Sequence, residues 1–223
     1  MTAAGIDRSP TGAARAPALV LTAICAERMA WLYLISRRVP AATGLLAAVS
    51  AVLWAGLHWH WRIAGGPAAQ QFIPLTIEAA AASIIAVTTY GPFGDTERAA
   101  GRWLPCLRLC AVLALTAAAF GVLAAGTTGG HLPGGTLVML RDLGGMAGIG
   151  FLAAAAFGGA FGWTGPLVYL IITEGAFAGS WATPLVWATR PPHDLGGTLC
   201  AAIAFAAGTA IITVRGGPDH TAR

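Results

Sequence analysis

Lysine is absent: all thirteen cationic residues of this 223-residue chain are arginine. That excludes a phosphate-loop lysine, a Schiff-base lysine and a lysine general base. Charge of either sign is scarce, at 10% of residues, against about 25% in a soluble domain. A chain of this size with so few charges cannot solvate a globular surface. Enzyme signatures are missing as well. There is no G-x-S-x-G elbow, no H-E-x-x-H and no glycine-rich loop between a strand and a helix. We therefore expect no catalytic residues, no cofactor and no nucleic-acid partner. Cys25, Cys106, Cys110 and Cys200 form no C-x-x-C pair and lie in or beside apolar runs. Small buried hydrophobic side chains, with no disulfide, are the expectation.

What is there is apolar. Hydrophobic residues make up 57% of the chain and its mean hydropathy is +0.71. At roughly 20 apolar residues per span, the expected fold is all-α: a polytopic membrane bundle of about six helices with an N-terminal interfacial helix. Residues 1–16 are polar and read as a disordered tail, 17–214 as a single transmembrane domain, and 215–223 as a second tail. The expected spans are 41–60, 72–90, 106–125, 137–161, 165–187 and 195–214. Residues 18–35 are apolar but carry Glu27 and Arg28 at their centre. Charges there would cost about 2.5–3.5 kcal/mol each in a span, so this stretch reads as a helix on the membrane surface, with a seventh span as the alternative. Tryptophans 54, 59, 61, 103, 163, 181 and 187 mostly fall near expected boundaries, where amphipathic rings settle.

Arginine placement gives an orientation. With the N-terminus inside, Arg8, Arg15, Arg28, Arg37, Arg38, Arg98, Arg102, Arg108, Arg215 and Arg223 lie on the inner side. Arg62, Arg141 and Arg190 lie on the outer side. The positive-inside rule then places both termini in the cytoplasm of a multi-pass plasma-membrane protein.

Four charges fall beyond the first turn of expected spans: Glu78, the neighbours Arg141 and Asp142, and Glu174. At that depth a carboxylate is paired, protonated or facing water. Two readings follow. One is an internal pair, such as Arg141 with Glu78 or Glu174; the other is a polar element of a transport path or proton relay. His58, His60, His131 and His193 gather toward the outer face, and imidazoles sharing a side suit zinc, copper or haem iron. His58 and His60, however, are two residues apart and diverge on a helix, so scattered interfacial histidines are the plainer reading and no metal site is assigned. Asp194 is placed to cap the last span. Gly144 and Gly148, Gly158 and Gly162, and Gly175 and Gly179 have the small-x-x-x-small spacing that lets helices approach closely in lipid.

The longest structured inner loop opens with Gly91-Pro92. Asp95 or Thr96 can cap a short amphipathic helix there that runs through Arg102 to Pro105. This layout, with six spans, both termini inside and an interfacial first helix, resembles the small permease subunits of ABC-2-type exporters. The segments Pro92–Pro105 and Leu140–Gly148 also look like actinobacterial membrane proteins described as ABC permeases. The resemblance implies a homodimer paired with separate ATP-binding subunits. Asp95, Glu97, Arg98 and Arg102 would then transmit ATP-driven closure, and the cargo would be a hydrophobic or amphipathic compound. Two other readings compete with it: a metal- or haem-handling membrane protein, and a non-transporting assembly partner of a membrane complex.

Overall fold

Runs of Ala, Leu, Ile and Val with few backbone breakers favour helix, and helices satisfy every backbone group internally where water is absent. The computed structural model describes residues 39–58, 66–88, 104–128, 134–179 and 183–215. Among the described residues there is no strand. The described residues form six α-helices: α1 (Val39–His58), α2 (Gly66–Thr88), α3 (Leu104–Gly126), α4 (Gly135–Phe157), α5 (Thr164–Gly179) and α6 (Leu195–Arg215). All belong to the unit Arg37–Arg223. The interfacial helix expected over 18–35, the tail 1–16, the inner loop 91–103 and the tail beyond Arg215 lie outside the described residues.

Among the described residues, four helical stretches are long and apolar enough to cross a membrane: Pro40–His58, Arg108–Gly126, Gly135–Phe157 and Leu195–Val214. The apolar part of α2, Phe72–Thr88, is shorter. Helix α5 has 16 residues, about 24 Å at 1.5 Å per residue, against a hydrocarbon core of about 30 Å. Large apolar side chains such as Leu45, Leu113, Leu140, Ile171, Leu199 and Ile203 are exposed on these helices. Such an exterior belongs in lipid, and the fold is that of a multi-pass membrane bundle.

Two helices end earlier than the sequence suggests. The fourth was expected to reach 161 but stops at Phe157, because Gly158 takes φ 96° and its N–H closes onto the Ala154 carbonyl. A 3-10 turn, Gly159–Phe161, follows. The fifth was expected to reach 187 but ends at Gly179. Residue 183 precedes Pro184, a position that disfavours helix. Residues 183–194 then form an irregular connection with one 3-10 turn, Trp187–Thr189.

Helix α4 is the centre of the bundle. It packs on α2, α5 and α6, while α1 packs on α2 and α3. In α4, 67% of the apolar window is buried, against 22% in α1 and 33% in α3 and α6. The fully buried Met139, Leu143, Met146 and Phe151 of α4 join Leu46, Ile85 and Leu123 in one core.

The α4–α6 seam is made by glycines. A Cβ on Gly148 would meet the backbone of Ala204 and Phe205, and one on Gly208 would meet the Gly148 carbonyl. A Cβ on Gly145 would overlap the Trp187 ring and press on Ala201. Gly144 and Gly175, by contrast, face open space. Close approach therefore uses Gly145, Gly148 and Gly208 rather than the Gly144–Gly148 spacing. Gly162 is also used, with a Cβ there meeting Ala86 of α2. These contacts also fix direction. Gly145 lies by Ala201 and Gly148 by Ala204, so α4 and α6 run parallel. Gly150 lies by Ala86, eight residues on from the Glu78–Asp142 level, so α2 runs parallel to them.

Candidate functional site: an acidic cavity at one end of the bundle

The N-terminal halves of α2 and α4 and the α5–α6 connection converge at one end of the bundle. They line a half-open cavity of about 280 Å³. Its polar wall is Glu78 from α2, Asp142 from α4, and Thr189 and Arg190 from the connection; Leu75, Val138 and Phe177 are among its apolar residues. Pro74 also lines it, inside α2 and one turn before Glu78. A proline there removes a ladder hydrogen bond, which loosens the helix where it meets the cavity.

The sequence singled out Glu78, Arg141, Asp142 and Glu174. The structure brings the first three together. Glu78 and Asp142 are each 4% exposed and Arg141 is 7% exposed. Arg141 Nε donates to Asp142 Oδ1 at 2.9 Å, so the partner of the arginine is its own neighbour. Glu78 lies within electrostatic reach of both, and its Oε2 is buried with no hydrogen-bond partner. Glu174 is elsewhere, exposed on the face of α5 that also shows Ile171 and Ile172. The pairing of Arg141 with Glu174 does not form.

Arg141 also holds the α5–α6 connection in place. Its two terminal nitrogens donate to the Pro191 carbonyl at 3.1 Å and the Arg190 carbonyl at 3.4 Å. A second clamp comes from α5. The Tyr169 hydroxyl accepts from the Ala188 N–H at 3.1 Å, and its ring stacks on Trp187 with centroids 4.3 Å apart and planes 18° apart. Trp187 is thus 4% exposed and seated over Gly145. The third clamp is at α6. Asp194 Oδ2 accepts the Gly197 N–H at 2.6 Å, and Oδ1 accepts from Arg190 at 3.0 Å. Asp194 therefore caps the helix, as its position implied. The Arg190 hydrogen bond, then the Gly197 N–H, hold its carboxyl below the ordinary aspartate range.

Two of the four outer histidines, His58 and His193, are described. His58 donates from Nδ1 to the Trp54 carbonyl at 3.0 Å and stacks on the Trp54 ring. His193 is exposed in the α5–α6 connection. His60 and His131 lie outside the described residues, as do Asp95, Glu97, Arg98 and Arg102. Among the described residues no group of three or more His, Cys, Asp or Glu could hold a metal ion. Cys106, Cys110 and Cys200 are free thiols, and Cys106 and Cys110 are exposed on α3 rather than buried as the sequence suggested.

Sequence reasoning missed Tyr169, Phe177, Trp187 and Arg190 as parts of one site. Tyr169 was the findable one. A tyrosine in mid-span carries a hydroxyl that needs a partner in lipid, and its ring marks the buried face of α5. Compared with family models, with curated proteins and with solved structures, the chain matches none of them.

Proposed function

We propose that this chain is a transport-type membrane protein of the plasma membrane, with six spans and both termini cytoplasmic, whose solute site is the Glu78–Asp142 cavity. The observation that carries the reading is Glu78. A carboxyl group 4% exposed, with one oxygen lacking any partner, is expensive in a bilayer and marks a solute or ion pathway. The arginine distribution supports the orientation and puts the cavity toward the outer face. The chain is read as a non-enzyme that moves a solute without changing it.

The test is cysteine accessibility. In a background with Cys25, Cys106, Cys110 and Cys200 replaced by Ser, a Val138→Cys variant is exposed to a membrane-impermeant maleimide in intact cells and in inverted vesicles. Labelling from the outer face is expected for the site, and labelling from the inner face as well for a carrier. Protection from both faces defeats the reading.

The exporter-subunit reading is an extension of this one. It is favoured by the inner segment 91–105, where Asp95, Glu97, Arg98 and Arg102 would meet a separate ATP-binding subunit, and it makes the chain a homodimer. Co-purification with an ATPase, lost when Glu97 and Arg98 both become Ala, is its expected signature.

A further inference from the structure

The groups around the cavity do not balance in charge. Glu78 and Asp142 bring two carboxylates, and Arg141 brings one guanidinium. That guanidinium is already committed, with Nε to Asp142 and its terminal nitrogens to the Pro191 and Arg190 carbonyls. Arg190 reaches the cavity wall but is ion-paired with Asp194. With both carboxyls ionised one negative charge is left over, and Glu78 is the residue with a carboxyl oxygen that has no hydrogen-bond partner. A single positive charge from outside the protein would complete the set.

Which cation fits is decided by the rest of the wall. A divalent metal needs six or more oxygen ligands for calcium and near-octahedral ones for magnesium; two carboxylates, one of them bonded to arginine, do not supply them. Leu75, Val138 and Phe177 line the cavity instead, and an aromatic ring beside a carboxylate favours an organic cation. The volume, about 280 Å³, lies just under the range that holds drug-sized ligands, so the occupant is small. An anion is disfavoured by the surplus charge.

We propose that the cavity binds a small organic monocation: an ammonium group held by the Glu78 carboxyl, carried on an apolar body that packs against Phe177, Leu75 and Val138. The proposal rests on the reading of this cavity as a solute site. It adds the chemical class of the ligand and makes Glu78 the residue that selects charge and Phe177 one that selects the apolar body.

The test uses the full-length protein in detergent, with phenethylammonium as the probe. 2-Phenylethanol serves as its neutral counterpart, and sodium chloride as an ionic-strength control. Thermal stability and protection of the Val138→Cys variant from maleimide are the two readouts. Phenethylammonium should raise the melting temperature saturably and slow labelling. Glu78→Gln should weaken its binding at least tenfold, Phe177→Ala should weaken it by less, and Glu174→Gln, on the exposed face of α5, should leave it unchanged. Equal stabilisation by 2-phenylethanol or by sodium overturns the organic-cation assignment and leaves the solute site standing. So does labelling of Val138→Cys that no probe slows. Absence of both labelling and probe binding overturns the two readings together. The protection assay needs no change at Glu78, so it decides the matter even if Glu78→Gln fails to fold.

Discussion

Replacing Arg141 by Gln removes the cation shared by two buried carboxyl groups and releases the Pro191 and Arg190 carbonyls. Breaking a buried pair by removing one partner typically destabilises by about 3–5 kcal/mol. The reverse change, Asp142→Asn, is predicted to be milder. Arg141 keeps its hydrogen bonds to the connection, and Glu78 is within reach to take over as counter-charge. It also removes one of two like charges that otherwise face each other. The double variant, Arg141→Gln with Asp142→Asn, leaves no orphaned ion from the pair. Its main loss is the 3.1 Å bond to the Pro191 carbonyl, worth roughly 1.5–3 kcal/mol for a charged donor. At roughly 2–4 °C per kcal/mol for a protein of this size, Arg141→Gln should lower the melting temperature by about 6–20 °C, and the double variant by about 3–12 °C. The assay is the fraction of detergent-solubilised protein that stays monodisperse on size exclusion after a series of heating steps. Two outcomes would refute the reasoning: Asp142→Asn more damaging than Arg141→Gln, or two single effects that simply add.

Three further outcomes follow from other contacts. Gly148→Ala should cost about 1–3 kcal/mol by overpacking the α4–α6 seam, whereas Gly144→Ala, facing open space, should be neutral or slightly stabilising; equal melting temperatures would contradict the seam. Tyr169→Phe keeps the stack on Trp187 but leaves the Ala188 N–H unsatisfied, a loss of about 1–3 kcal/mol, and limited proteolysis should then cut the 183–194 connection sooner than in the parent. Asp194 has its carboxyl held below the ordinary range by Arg190 and Gly197. Its contribution is therefore present above about pH 4, near the unfolded value, and is lost as pH falls through the lower folded value. Asp194→Asn should accordingly show a smaller drop in melting temperature between pH 6 and pH 3 than the parent, and an identical drop would count against the assignment.

Much of the fold is legible in the sequence because hydropathy is a local property. Apolar runs of about 20 residues between turn signals locate the six helices. Where the reading slipped, a single backbone event was responsible. Gly158 adopts a positive φ and ends α4, a choice no hydropathy window records. The stretch 180–187 is apolar enough to read as a continued span, yet residues 183–187 are not helical up to the 3-10 turn at Trp187, which has a seat over Gly145 and a ring partner in Tyr169. That seat is built from residues 42 positions away, so nothing local announces it. The glycine spacing failed for a related reason. A small-x-x-x-small pair states which residues are small, but which of Gly144 and Gly145 faces a neighbour depends on the rotation of α4, and that is set by the neighbours.

The site divides along the same line. That Glu78, Arg141 and Asp142 matter was legible, since charge at membrane depth is rare and has to be answered. How it is answered was not. The obvious expectation is cancellation between helices, arginine against a distant carboxylate. Instead Arg141 turns to its own neighbour Asp142 and spends its remaining donors on the carbonyls of a connection 49 and 50 residues further on. That arrangement is poor at neutralising the site and good at holding the connection over it. A bundle selected only for stability would place the arginine between the two carboxylates or have no charge there at all, because a well-packed apolar substitute is often as stable as a buried ion pair. Keeping three buried charges, fixing two, and leaving Glu78 on a cavity wall is the arrangement that the proposed solute site requires.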